Sequence, residues 1–298
     1  MKLAPLLLSL GLALGCSAAL AQALDPGEVQ LKLPDGGLYI GTVTNGIPDG
    51  KGYFKDADGM YYEGDVHMGH RTGVAEALFP DGDRYKGSWK DGKPDGVGMM
   101  SYMLGGSYEG EWKNGLRHGK GMMTFAGSGR RAEVRFEKDS RVDVTPDLPS
   151  SEAGSTTYSL WSGTAVPGSW LSYKIAHGSL PLDRGFDELT PDQQRLVRSY
   201  YPALDVGDDP PYPLNGGKEL YTLAAKLADH LRVRDRVLIY VTVGADASVT
   251  SVAVITPFDP EVKRVIAAAA GRLKYKPARC GGQPCPGVAA FDLLLTFD

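Results

Sequence analysis

Cys280 and Cys285 enclose a tight loop, Gly281-Gly282-Gln283-Pro284, and two chemistries suit such a pair. One is a structural disulfide, the reading favoured for a single even pair in an exported chain. The other is a redox-active dithiol, although catalytic pairs sit closer together at a helix N-terminus that lowers the thiol pKa. His67 and His70 invite a metal ion, but zinc takes at least three protein ligands and no third is in sight, so they read as a surface pair across a turn. A stripe of Tyr39, Tyr62, Tyr85, Trp89, Tyr108 and Trp112 offers flat faces that either stack on sugar rings or pack a core, and core packing is the stricter reading. The chain has no G-x-S-x-G elbow, phosphate loop, dinucleotide fingerprint or H-E-x-x-H pair. Its carboxylates are spread over turns and outward positions, so no acid and base can be named. We therefore expect a protein without catalytic residues, metal or cofactor.

The elements that must position these residues repeat every 23 residues. Tyr39, Gly41, Gly46, Gly50 and Gly52 recur as Tyr85, Gly87, Gly92, Gly96 and Gly98, and again as Tyr108, Gly110, Gly115, Gly119 and Gly121. A copy from Tyr62 and Gly64 departs only at its end, where Ala75 replaces the last glycine. A fixed period of this length marks stacked supersecondary units, a solenoid over residues 35–140. Each copy alternates, with Tyr85, Gly87 and Trp89 on one face and Lys86, Ser88 and Lys90 on the other, as a half-buried strand does. Asn45-Gly46, Met68-Gly69, Asp91-Gly92 and Asn114-Gly115 follow as hairpin turns. Asp58-Gly59, Asp81-Gly82 and Leu104-Gly105-Gly106 return the chain to the next unit. In this register His118 matches Asp49 and Asp95 and reads as a turn residue, and Ala132 to Asp139 reads as a polar end cap. The pattern resembles MORN repeats, most closely over Ser107-Tyr108-Glu109-Gly110-Glu111-Trp112-Lys113-Asn114-Gly115.

With 298 residues the chain has room for two cores. Its net charge is -4, and Asp35 to Asp139 holds 14 Lys and Arg against 16 Asp and Glu. That is no footprint for nucleic acid, and it gives lipid binding no electrostatic support. Lys2, the apolar run from Leu3 through Leu20, and Ala19-Leu20-Ala21 read as an export signal over residues 1–21, placing the protein in the periplasm. Leu14-Gly15-Cys16-Ser17 offers the alternative of a lipoprotein anchored through Cys16.

Residues 141–185, rich in Ser, Gly, Thr and Pro, read as a linker. A small α+β domain with a helical lead-in then occupies residues 186–298. Thr190-Pro191-Asp192-Gln193 caps a short helix, and Leu220, Leu223, Ala224, Leu227 and Leu231 mark a second, from Gly217 to Leu231. Val237 to Val243 and Ser248 to Thr256 form a hairpin, Asp259-Pro260 starts a third helix, and Val288 to Phe297 is the last strand. This order resembles the C-terminal domain of TonB-type energy transducers. The matching segments are Pro210-Pro211-Tyr212-Pro213, the hairpin, the Asp259 helix, Leu273-Lys274-Tyr275-Lys276-Pro277-Ala278, Gly282-Gln283-Pro284 and Leu293-Leu294-Leu295-Thr296-Phe297. The resemblance implies a sheet edge to which an extended peptide of an outer-membrane receptor adds as a strand, with Phe291, Leu293 and Leu295 on the candidate edge strand. The alternative is a strand whose edge is capped or dimerised. The expectation is a mainly β fold plus an α+β domain, a MORN-type hairpin solenoid followed by a TonB-like domain. Such a chain would act as an adaptor for protein partners in the cell envelope. Docking on an outer-membrane receptor is the alternative, and glycan binding a further one.

Overall fold

The computed structural model describes residues 25–143, 158–161, 174–178, 180–231, 235–256 and 258–295, so the expected export signal over residues 1–21 lies outside the described residues. The repeats form one antiparallel sheet of eleven strands in chain order. They are β1 (Val29–Lys32), β2 (Leu38–Thr44), β3 (Ile47–Lys55), β4 (Tyr61–His67), β5 (His70–Leu78), β6 (Arg84–Lys90), β7 (Lys93–Ser101), β8 (Ser107–Lys113), β9 (Leu116–Thr124), β10 (Arg131–Glu137) and β11 (Ser140–Arg141). Both central residues of each hairpin turn have positive φ: Asn45 and Gly46, Met68 and Gly69, Asp91 and Gly92, Asn114 and Gly115. This is the turn whose twist matches that of the strands it joins. On the other side, the return turns are closed by backbone hydrogen bonds such as Asp56 N–H to Met60 O at 2.8 Å and Phe79 N–H to Asp83 O at 2.8 Å.

Residues 141–185 hold two strands, β12 (Tyr158–Trp161) and β13 (Lys174–Gly178), paired with each other, where the sequence suggests only a connector. Strands of four and five residues are too short to show a period above the Ser and Gly around them. After them come α1 (Pro191–Ser199), with the Thr190–Gln193 capping box in place, β14 (Tyr212–Pro213) and α2 (Lys218–Leu231). β15 (Asp235–Val243) and β16 (Val249–Ile255) form the hairpin, and α3 (Pro260–Arg272) starts at Asp259, whose carboxylate accepts the amides of Glu261 and Val262. β17 (Tyr275–Lys276), β18 (Ala278–Cys280), β19 (Gln283–Cys285) and β20 (Gly287–Leu295) complete the described chain. The main sheet has the order β16-β15-β20, all antiparallel.

β15 is buried on both faces. Val237, Ile239, Val241 and Val243 join a core with Leu220 and Ala224 of α2 and Ile266 and Ala270 of α3. Leu238 and Tyr240 point the other way and are equally covered, because the repeat sheet packs there. The Tyr240 hydroxyl donates to the carbonyl of Asp81 at 2.7 Å, in the return turn between the second and third repeats. Further along the same seam, Ala126 N–H donates to Ala203 O at 2.8 Å, Arg130 pairs with Asp205 at 2.5 Å, and Arg117 Nη1 donates to Pro202 O at 3.2 Å. The near-continuous apolar run of β15 is what a strand enclosed on both sides requires.

Candidate functional site

The repeating aromatic residues build the interior. Tyr39, Tyr62, Tyr85 and Tyr108 are almost fully buried, and each hydroxyl donates to the carbonyl three residues on: Thr42 (2.7 Å), Asp65 (2.6 Å), Ser88 (3.0 Å) and Glu111 (3.2 Å). Each ring lies over a glycine pair across the hairpin, Gly41 with Gly52, Gly87 with Gly98, Gly110 with Gly121, and a methyl group on Gly52, Gly98 or Gly121 would overlap it. Gly64 faces Ala75 in the second copy. Tyr62, Trp89, Tyr85, Trp112, Tyr108 and Phe136 form an unbroken edge-to-face series with centroids 5.0 to 5.6 Å apart. Trp112 Nε1 donates to Gly98 O at 3.1 Å, whereas Trp89 Nε1, one repeat earlier and next to Ala75, has no partner among the described residues. The stripe is a core, and its rings are not available to a sugar.

The two polar cations inside this layer replace prolines of the repeat. Arg71 stacks on Phe54 (4.8 Å) and Tyr62 (5.4 Å) while pairing with Asp56, and Arg117 stacks on Phe136 (4.2 Å) while pairing with Asp139 at 2.6 Å. The prolines at the matching positions are Pro48 and Pro94. His67 and His70 face each other across the turn, and His67 Nδ1 lies 3.5 Å from Asp49, both at the surface. Among the described residues no group of three metal-ligating side chains gathers. His118 is a strand residue of β9 rather than a turn residue, because the turn closes earlier, at Asn114-Gly115. Its carbonyl accepts the Tyr108 hydroxyl at 3.1 Å.

The outward face is a different surface. One row of cross-strand neighbours runs Ile40, Tyr53, Glu63, Glu76, Lys86, Met99, Glu109, Met122, Glu133. Tyr53 and Tyr61 have centroids 6.0 Å apart, and Glu76 pairs with Lys86 at 2.7 Å. Burial raises the pKa of Glu63, and the charge of Glu76 opposite adds to it. Sequence alternation marks these positions as outward, but only cross-strand register tells which of them are neighbours.

In the C-terminal domain, Phe291 and Leu293 of β20 point into the core, 6% and 3% exposed, so what this strand offers a partner is backbone. The side chain of Leu295 lies outside the described residues. β20 is an edge strand by sheet order, and Pro211 packs beside its first residue, Gly287. Cys280 and Cys285 form a disulfide across the β18–β19 hairpin. It packs on Gly127 of the last return turn, where an added Cβ would lie 2.8 Å from Cys280 Sγ and 3.1 Å from Cys285 Sγ. The carboxylate of Asp208 accepts Gly281 N–H at 2.8 Å and fixes that hairpin from the other side. At the opposite end of the seam, burial pushes the Asp83 carboxyl up to about 6, against the donated Met103 N–H and with help from Asp81.

Four segments, residues 39–61, 62–84, 85–103 and 108–130, match the family described as MORN repeat. No curated protein matched the chain. The matches coincide with the four hairpin units, apart from the return turn at residues 104–107, and residues 39–130 are an array of MORN repeats.

Proposed function

We propose that this chain is a non-enzymatic adaptor of the periplasm, in which the MORN array and the C-terminal domain each engage a protein of the cell envelope. The observation that supports this reading is the division of labour in the two sheets. Every repeated aromatic is spent on packing, which leaves broad outward strand faces and backbone edges as the surfaces offered to partners. The strand-strand-helix-strand order after Asp235 supports a TonB-like C-terminal domain, and hence a second reading in which that domain docks on an outer-membrane receptor through β20. The export-like first residues support the location.

The test is crosslinking in cells of the full chain and of variants carrying Phe291→Pro or Leu295→Pro, with captured proteins identified and the mature N-terminus read from the same sample. Capture of envelope proteins by a processed chain is the expected result. Capture of an outer-membrane receptor that either proline variant abolishes would favour the second reading. An unprocessed chain that captures only cytosolic proteins would overturn both.

A further inference from the structure

The disulfide hairpin closes a ring of contacts at one end of the seam. The return turn Phe125–Arg130 reaches the segment Ala203–Asp209 twice, through Ala126 N–H on Ala203 O at 2.8 Å and through the ion pair of Arg130 with Asp205 at 2.5 Å. That segment holds the β18–β19 hairpin. Asp209 and Arg279 exchange backbone hydrogen bonds of 3.0 and 2.9 Å, and the buried Asp208 carboxylate accepts Gly281 N–H at 2.8 Å. The hairpin then comes back to the turn, because both of its sulfurs press on Gly127. Turn, segment and hairpin hold one another in a circle, and the Cys280–Cys285 bond lies where the circle closes.

As a brace for the whole chain this bridge is modest. It joins residues five apart within one antiparallel hairpin, and a short closed loop restrains the unfolded chain less than a long one does. Its placement is what distinguishes it. Gly127 has φ +73° and no space for a Cβ, which would lie 2.8 Å from Cys280 Sγ, 3.1 Å from Cys285 Sγ and 2.9 Å from Pro286 O. The turn is therefore fitted to the sulfurs as a bonded pair. Sulfurs that are not bonded cannot approach as closely as bonded ones, so two thiols need more room than the disulfide they come from, and Gly127 leaves none. Solvent reaches the bond from the other side. Gly281, Gly282, Gln283 and Pro284 are exposed and Cys280 is half-buried, whereas Cys285 is 8% exposed.

We infer that Cys280–Cys285 is a thiol–disulfide exchange site whose reaction partner is a dithiol reductant, and that its reduction releases this end of the seam. A thiolate of the reductant attacks Cys280 Sγ, and the Cys285 sulfur leaves with the bonding pair and takes a proton from water. The second thiol of the reductant, once deprotonated, attacks its partner sulfur in the mixed disulfide and displaces the Cys280 thiolate, which is protonated in turn. Two electrons pass to the cysteine pair, and the dithiol becomes a disulfide. With the sulfurs apart, Gly127 is displaced, and the contacts of Ala126 with Ala203 and of Arg130 with Asp205 open with it. The bond of Tyr240 to Asp81, in a different return turn, keeps the two sheets together. The fit of array to domain thus follows redox state, whichever partners either of them binds.

The test is hydrogen exchange on the folded full chain, read by mass spectrometry with and without dithiothreitol as the dithiol, with alkylation of the released thiols followed on the same peptides. Dithiothreitol should reduce the bridge without denaturant. Exchange in peptides covering residues 125–130 and 203–209 should then rise about tenfold, while peptides within residues 62–78 keep their rates. Reoxidation with oxidised glutathione should restore the starting rates. In the double variant Cys280→Ser, Cys285→Ser, dithiothreitol should change nothing. Resistance of the bridge in the folded chain, unchanged exchange at 125–130 and 203–209 after reduction, a uniform rise that includes residues 62–78, or a response to dithiothreitol that persists in the serine variant would each overturn the inference.

Discussion

The phenol of Tyr240 ends on the carbonyl of Asp81, 159 residues earlier in the chain, at 2.7 Å. A hydroxyl on a strand of one sheet thereby fixes the position of a turn in another. Because the hydroxyl is also well screened from water, burial raises its pKa, with Asp81 and Asp83 adding to the rise. It donates as a neutral phenol throughout the range in which the protein would be handled.

Tyr240→Phe should weaken the seam without disturbing either core. The lost hydrogen bond and the stranded Asp81 carbonyl should cost about 1–2 kcal/mol. Chemical denaturation would measure this, and limited proteolysis of the full chain should accelerate in parallel. Equal stability of variant and parent would mean that the bond is not formed in solution.

Gly98→Ala should be among the most damaging single-methyl additions in the array, because the new methyl would overlap the Tyr85 ring. A loss of about 1–3 kcal/mol is expected from overpacking of this kind. Tyr85→Phe combined with Gly98→Ala should lose less than the sum of the two, since the hydroxyl is one of the atoms in the way. Strict additivity in urea unfolding would count against the packing described.

Asp83 should make stability fall as pH rises. Its carboxyl titrates at about 6 in the folded chain, above the ordinary value of about 4 for an unfolded aspartate. Folding therefore favours the protonated form. The penalty is absent below pH 4, grows through pH 4 to 6 and is complete above it. After allowance for the solvent that still reaches the group, we expect about 1–2 kcal/mol. Asp83→Asn, which keeps an acceptor for Met103 N–H, should match the parent near pH 4 and exceed it at pH 7. Parallel stability curves would sink the assignment.

Breaking the Cys280–Cys285 bond, by reduction or by Cys280→Ser with Cys285→Ser, should remove about 2 kcal/mol for so short a loop. Because the sulfurs pack on Gly127, the effect should also reach the seam. Gly127→Ala, with φ +73° and the sulfurs in the path of its methyl, should lower the melting temperature in the oxidised protein and do less in the reduced one.

The array was legible in the sequence because each of its choices is local. Asn-Gly and Asp-Gly set the turn, alternation sets the buried face, and a 23-residue period sets the stacking, so Tyr39, Tyr62, Tyr85 and Tyr108 could be placed in the core from spacing alone. The caps of α1 and α3 were legible for the same reason, since Thr190, Gln193 and Asp259 act within one helical turn. Ala75 announced itself as an exception, but the Trp89 indole N–H, which has no hydrogen-bond partner among the described residues, did not. Short strands such as Tyr158–Trp161 carry too few residues to show a period. What only the tertiary structure decided is everything that depends on pairs far apart in the chain. Leu238 and Tyr240 look like ordinary outward residues until the return turns cover them, and His118 matters through its carbonyl rather than its ring. That the second face of β15 is covered follows from where the return turn at Asp81 falls. No local propensity encodes that, because it arises where two sheets distant in the chain meet.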